Sequence, residues 1–196
     1  FPYDDKGRIV LEEGYLVYEC NNWCNCNETC PNRVLQKGVQ LRLEVFWTVN
    51  KGWGVRAAEP ILRGMFVCEY IGEVLDEAEA KQRRERCSKE GCNYMFNVDR
   101  HTKDVSRSTE GVDNYVIDGA KYGNISRFFN HSCSPNIVSR QVIVNSKDPR
   151  RVHVGLYANR DIASGEELTL NYQYQPLPGG GRPCLCGSSN CRGRLY

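Results

Sequence analysis

The run Gly123-Asn-Ile-Ser-Arg-Phe-Phe-Asn-His-Ser-Cys-Ser-Pro-Asn136 packs amide, imidazole, guanidinium and thiol groups among bulky apolar residues. It is too polar for an ordinary core segment and too apolar for a flexible loop, so its polar groups need partners once buried. A second signature, Glu167-Leu-Thr-Leu-Asn-Tyr172, follows downstream and reads as a short strand. Around these two, further strands are expected at Leu41 to Val49, Gly54 to Ala58, Met65 to Leu75, Tyr94 to Val98, Tyr115 to Asp118, Ile137 to Val144 and Val152 to Ala158, punctuated by Gly52, Pro60 and Gly64. One helix is expected from Asp76 to about Lys89, opened by an Asp76/Glu79 capping box and exposed on most of its surface. Two polar stretches, Ser88 to Cys92 and His101 to Asp113, read as loop insertions. The pattern implies a mostly β fold of small sheets with few short helices, without solenoid or propeller repeats.

Apolar residues make up 40% of the 196-residue chain and charged residues 26%, the balance of a soluble globular domain with, at most, small appendages. No apolar run reaches membrane-spanning length. The chain starts at Phe1 without an initiator Met or a signal-peptide pattern, and is read as part of a longer protein whose targeting signals lie elsewhere. A net charge of +2 gives little drive toward nucleic acid. The basic stretch Lys81-Gln-Arg-Arg-Glu-Arg86 is broken by acid and reads as a solvated helix face.

The 11 cysteines are odd in number, and seven of them cluster toward the two ends. Tight spacing favours metal over disulfides. Cys20, Cys24, Cys26 and Cys30 lie in a segment with little apolar periodicity, which needs metal to hold a shape. Cys184, Cys186 and Cys191 supply three thiolates, and Cys133 is the natural fourth ligand of a closed tetrahedral zinc site. That pairing would tie the Asn130-His131 segment to the end of the chain. Cys68 reads as core, and Cys87 and Cys92 as free thiols bordering an insertion. Between Lys51 and Ala57, a G-x-G-x-x-A pattern resembles a dinucleotide loop, but Pro60 and Gly64 follow at once and no helix opens there. Its glycines serve either a close backbone approach to a small ligand or a plain hairpin turn.

With both polar signatures, Gly52-Trp-Gly54 and the cysteine tail in this order, the chain resembles a SET-domain protein lysine methyltransferase over nearly its whole length. The cysteine-rich ends and Phe66-Val-Cys-Glu-Tyr-Ile-Gly-Glu73 are similar to the Su(var)3-9-like, histone H3 lysine-9 branch. Phe1 to Glu13 and Leu41 to Glu44 look most like a plant Su(var)-related member. The resemblance implies a β-clip fold with a pseudoknot that sets Asn130-His131 against the strand ending in Tyr172. It divides the chain into the C-terminal part of a pre-SET zinc module (1–38), a SET domain (39–175) and a post-SET zinc segment (176–196). S-adenosylmethionine is expected near Lys51, Gly52, Trp53, Tyr115, Arg127, Asn130, His131 and Tyr172, with zinc in the cysteine clusters. A histone H3 tail peptide in nuclear chromatin is the implied substrate, its lysine reaching Tyr172 along a channel lined by Tyr94. Two rival readings are a catalytically weak chromatin-binding module and an enzyme acting on a non-histone lysine.

Three features depart from the family pattern. Leu170 and Asn171 stand where an aromatic residue and Asp are usual, which bears on how many methyl groups fit. The pre-SET cysteines of the branch are more numerous than those from Cys20 to Cys30. Pro176 and the glycines after it replace an aromatic lid, for which Tyr174 is the candidate substitute.

Overall fold

The computed structural model describes residues 1–90, 94–98, 115–145, 152–173 and 181–195, the side chains of 87–90 excepted. The insertion from His101 to Asp113, Gly91 and Cys92, the side chain of Cys87, Tyr174 and most of the glycine-rich joint lie outside the described residues, whereas Ser88 to Glu90, expected in a loop insertion, continue the helix instead. Strands are short because β-branched and aromatic runs are cut repeatedly by glycine and proline. In chain order they are β1 (Val17–Tyr18), β2 (Leu43–Thr48), β3 (Gly52–Ala57), β4 (Phe66–Glu69) and β5 (Glu73–Leu75). There follow β6 (Met95–Val98), β7 (Tyr115–Asp118), β8 (Asn130–His131), β9 (Ile137–Ile143) and β10 (His153–Ala158). The series ends with β11 (Glu167–Leu170), β12 (Arg182–Pro183) and β13 (Arg194–Leu195). The helix α1 spans Glu77–Glu90. None of the described helices is long and apolar enough to cross a membrane.

The chain forms two compact units. One comprises Phe1–Gln40, Gly64–Arg127 and Ser139–Tyr157, the other Leu41–Arg63, Phe128–Val138 and Ala158–Tyr196. The first unit is centred on the sheets β1-β9-β10-β4 and β5-β7-β6. Val17, Val67, Cys68, Val142, Leu156 and Tyr157 are wholly buried in it. Burial pushes the Cys68 thiol up to about 12, so this cysteine is an inert core residue, as expected. α1 packs through Ala80 on Leu75 and Val116. The carboxylate of Asp76 accepts the Glu79 N–H at 2.8 Å, and Arg83 bridges Glu73, Glu79 and the buried Asp118. The cysteine-rich N-terminal segment is anchored by buried Glu19, which accepts the Tyr3 hydroxyl and the backbone N–H groups of Val34, Leu35 and Gln36. Tyr157 donates to Tyr3 in turn, at 2.7 Å, because the single Tyr3 proton is committed to Glu19.

The second unit holds the sheet β2-β3-β11-β8 and the small pair β12-β13. β2 and β3 form an antiparallel hairpin from Leu43↔Ala57 to Thr48↔Gly52, and β11 adds antiparallel to β3. β8 joins β11 in parallel, Thr169 facing Asn130 and Leu170 facing His131. Parallel neighbours require a long crossover, supplied here by the chain through β9 and β10. The quoted run and the strand leading to Tyr172 are thereby set side by side, the juxtaposition expected of the pseudoknot. Ala57, Ile61, Phe129, Ile137, Ile162 and Leu168 form the core around them.

Candidate active site

At the end of the β2–β3 hairpin the chain reads Lys51-Gly-Trp-Gly54. Thr48 closes the turn: its hydroxyl accepts the Lys51 N–H at 2.9 Å and donates to the Gly52 carbonyl at 2.8 Å. Gly52 adopts φ +73°, the left-handed region that favours glycine, and a Cβ added there would meet open space. Gly54 is glycine for the opposite reason. A Cβ there would lie 3.0 Å from Thr48, 3.1 Å from the Asn130 amide and 3.1 Å from Glu167. Trp53 is half exposed and meets Trp47 edge-to-face at 5.1 Å between ring centroids. The segment is thus a hairpin turn that also offers bare backbone and an indole face.

Across β11 from that hairpin, β8 presents Asn130 and His131. The His131 side chain is almost wholly buried, and its Nδ1 accepts the Tyr172 N–H at 3.1 Å. Nδ1 is therefore unprotonated and the ring proton sits on Nε2, which lies 3.4 Å from the Cys133 sulfur. Burial, aided by the Arg192 charge, pushes the His131 pKa down to about 4, so the ring is neutral near pH 7. The Tyr172 hydroxyl donates to the Phe129 carbonyl at 2.7 Å. Tyr172 is thus pinned at backbone and hydroxyl to the residues on either side of Asn130.

Asn136, the last residue of the opening run, was not foreseen as part of the site. Its amide donates to the Glu166 carboxylate and to the Glu167 carbonyl, both at 2.8 Å, and its oxygen accepts the Thr169 N–H at 2.8 Å. It holds the strand leading to Tyr172 like a backbone partner. Asn136→Ala is expected to cost about 2–4 kcal/mol, since it strands buried donors and acceptors; thermal unfolding of the variant checks this.

The sulfurs of Cys133, Cys184, Cys186 and Cys191 all lie within 4.8 Å of one another, with Cys133 and Cys184 3.9 Å apart. Zinc–thiolate bonds of about 2.3 Å place tetrahedral sulfurs about 3.8 Å apart, so the set fits zinc. The backbone N–H of Arg192 holds the Cys133 thiol below its usual pKa, toward the form that binds metal. At the N-terminus Cys20, Cys26 and Cys30 gather in the same way. Cys24 stands outside that group: it is exposed, and its sulfur pairs with Asn21.

The other expected site residues belong to the first unit. Arg127 stacks its guanidinium over the Tyr94 ring at 4.2 Å, which brings one residue of the expected cofactor side onto one of the expected lysine side. The Tyr94 carbonyl accepts the Tyr70 hydroxyl and the Gly119 N–H. Tyr115 is buried in β7, its hydroxyl donating to the Val152 carbonyl at 3.0 Å.

A SET domain model matches residues 52–173, and a Pre-SET motif matches residues 1–33. The chain is 55% identical, over all of its length and 14% of the relative's, to Histone-lysine N-methyltransferase SUVR5 of Arabidopsis thaliana. It is 38% identical to Histone-lysine N-methyltransferase, H3 lysine-9 specific, of Schizosaccharomyces pombe, covering 41% of that protein. The chain thus spans less than half the length of these relatives. Among solved structures, Arabidopsis thaliana SUVH6 in complex with SAM superposes with a TM-score of 0.84 at 36% identity, covering 100% of this chain and 41% of that one. KRYPTONITE in complex with mCHH DNA, H3(1-15) peptide and SAH gives 0.82 at 36% identity, with 100% and 38% covered. With that match running from the Gly52 turn to the residue after Tyr172, the chain belongs to the SET-domain family.

Proposed function

We propose that this chain is the catalytic portion of a histone-lysine N-methyltransferase acting on the histone H3 tail in nuclear chromatin, lysine 9 being the first candidate by likeness to the H3 lysine-9 specific relative. One observation carries the reading: β8 pairs with β11 so that Tyr172 is held by His131 and by the Phe129 carbonyl, while Asn130 between them donates to the Trp53 carbonyl next to Gly52. The net charge of +2 gives this portion little electrostatic drive toward nucleic acid. The boundaries 1–38, 39–175 and 176–196 for pre-SET, SET and post-SET portions belong to the same proposal.

When bound, S-adenosylmethionine supplies the electrophilic methyl group. Gly52, Trp53, Asn130 and His131 would hold it. The protein's task is alignment, because methyl transfer is an in-line displacement. A target lysine arrives protonated, with a pKa near 10.4, and must lose its proton before it attacks. Desolvation beside the Tyr172 ring and a neighbouring positive charge both favour that loss. With its own proton donated to Phe129, the Tyr172 hydroxyl presents lone pairs to the reacting groups and orients them as an acceptor. Neutral His131 fixes the Tyr172 backbone and takes no proton.

The test is a methyl-transfer assay on a histone peptide panel, read by mass spectrometry. Transfer to an H3 lysine-9 peptide is expected, and activity unchanged by both Tyr172→Phe and His131→Ala would refute the site. Product number is set beside Tyr172. Leu170 is buried opposite His131 and brings neither a hydroxyl to hold a water nor an aromatic wall. Di- and trimethyl-lysine are therefore expected under excess enzyme, and Leu170→Tyr should shift the product toward monomethyl-lysine. A wild-type product spectrum that stops at one methyl would refute this.

A further inference from the structure

Glu167 entered the sequence reading only as the first residue of a strand, and Lys51 as a cofactor contact. Their geometry assigns both a different task. The Lys51 ammonium meets Glu167 Oε2 at 2.5 Å, while Glu167 Oε1 accepts one hydrogen of the Asn130 amide at 2.9 Å. The second amide hydrogen goes to the Trp53 carbonyl at 3.2 Å. Both Asn130 donors are thus spent on oxygens, one of them anionic. Turned over, the amide would set its own oxygen against two acceptors, so only one orientation is favourable. Asn130 must then present its carbonyl oxygen, which selects a hydrogen-bond donor on the ligand. Gly54 allows the arrangement, since any side chain there would push on Asn130 and Glu167 together. The carboxylate itself is held: both members of the ion pair are about four-fifths buried, and Arg56 beside it in β3 is engaged by Glu44 instead.

We infer that Glu167 is a positioning residue for the methyl donor: anchored by Lys51, it fixes the Asn130 amide with its oxygen toward the ligand, and Lys51 acts through Glu167 rather than by touching the ligand. This rests on the reading that Asn130 faces the methyl donor. A residue that only supported the fold would lower stability and leave the ligand's hydrogen bond intact; a residue that orients Asn130 changes affinity only while Asn130 is present.

That difference is measurable by calorimetric titration with S-adenosylhomocysteine on the whole chain, with unfolding temperature recorded for every variant. Asn130→Ala and Glu167→Gln are each expected to weaken binding about tenfold, the scale of a hydrogen bond to a charged group. Their combination should be no weaker than Asn130→Ala alone. Lys51→Met frees the far end of the carboxylate without touching Asn130. It should cost a few-fold in affinity, again only when Asn130 is present, and it serves as the second probe if Glu167→Gln folds poorly. Losses from Glu167→Gln or Lys51→Met that persist in the Asn130→Ala background would overturn the inference, as would a Glu167→Gln protein that binds within twofold of wild type while Asn130→Ala does not. Normal binding by Asn130→Ala would overturn both this inference and the placement of the ligand.

Discussion

Replacing Tyr172 with Phe is expected to lower kcat by about a hundredfold to a thousandfold, the range seen when one preorganised polar group is removed from a reacting centre. The substitution deletes a single oxygen. The ring, its edge contact with His131 at 5.4 Å and the backbone bond to His131 Nδ1 all remain, so the strand end should keep its place. What is lost is the acceptor that the hydroxyl becomes by donating to Phe129. Affinity for S-adenosylhomocysteine should stay within about twofold of wild type, and the unfolding temperature should fall only slightly, because one net hydrogen bond contributes about 1 kcal/mol. Single-turnover kinetics separates the two contributions. A variant that keeps its rate places the chemistry elsewhere; one that loses binding in proportion to rate makes Tyr172 a binding group.

The fold was legible where local chemistry decided it. β3, β7 and β11 lie where glycine breaks and β-branched residues put them, and α1 begins after the Asp76 cap that its sequence advertises. β8 was not legible as a strand. Two polar residues have no β signature, and Asn130-His131 becomes extended only because β11 returns to pair with it. The same limit explains the site. Asn130, His131 and Tyr172 stand out as candidates from their signatures, whereas the contacts of Asn136 and Glu167 depend on partners that meet only in the folded sheet. Lys51 stands next to Gly52 in the sequence, yet sequence position does not reveal which way an ammonium points. Cysteine spacing predicted both clusters but could not rank Cys24 against its neighbours, since convergence of thiols depends on the turns between them.

Loss of the C-terminal metal should be as damaging as loss of the Tyr172 hydroxyl, by a different route. Cys133 follows β8 directly, and the remaining sulfurs of its set lie on the last described segment. Apart from bonds to the cysteine sulfurs, the described residues of that segment touch the site through contacts such as Ser132 to Ser188 at 3.0 Å, the Asn190 amide to the Cys133 carbonyl at 3.3 Å, and the Arg192 guanidinium to Asn171 at 3.0 Å. Such exposed or half-buried bonds are each worth about 1 kcal/mol, too little to order the end of the chain against its conformational entropy. A structural zinc contributes on the order of 10 kcal/mol. Metal bound there would therefore be the dominant force holding Arg192 beside Asn171, the immediate neighbour of Tyr172. Chelation should abolish methyl transfer by at least about a hundredfold while much of the β structure persists. Cys133→Ser should do the same with the N-terminal cysteines untouched, and Cys20→Ser should act mainly on unfolding temperature, since Glu19 and its hydrogen bonds still anchor that segment. Zinc content, circular dichroism and turnover measured on the same samples decide between these outcomes. Full activity in metal-free protein would show that the hydrogen bonds alone suffice, and equal damage from Cys20→Ser and Cys133→Ser would show that the metal acts on the fold as a whole rather than on Tyr172.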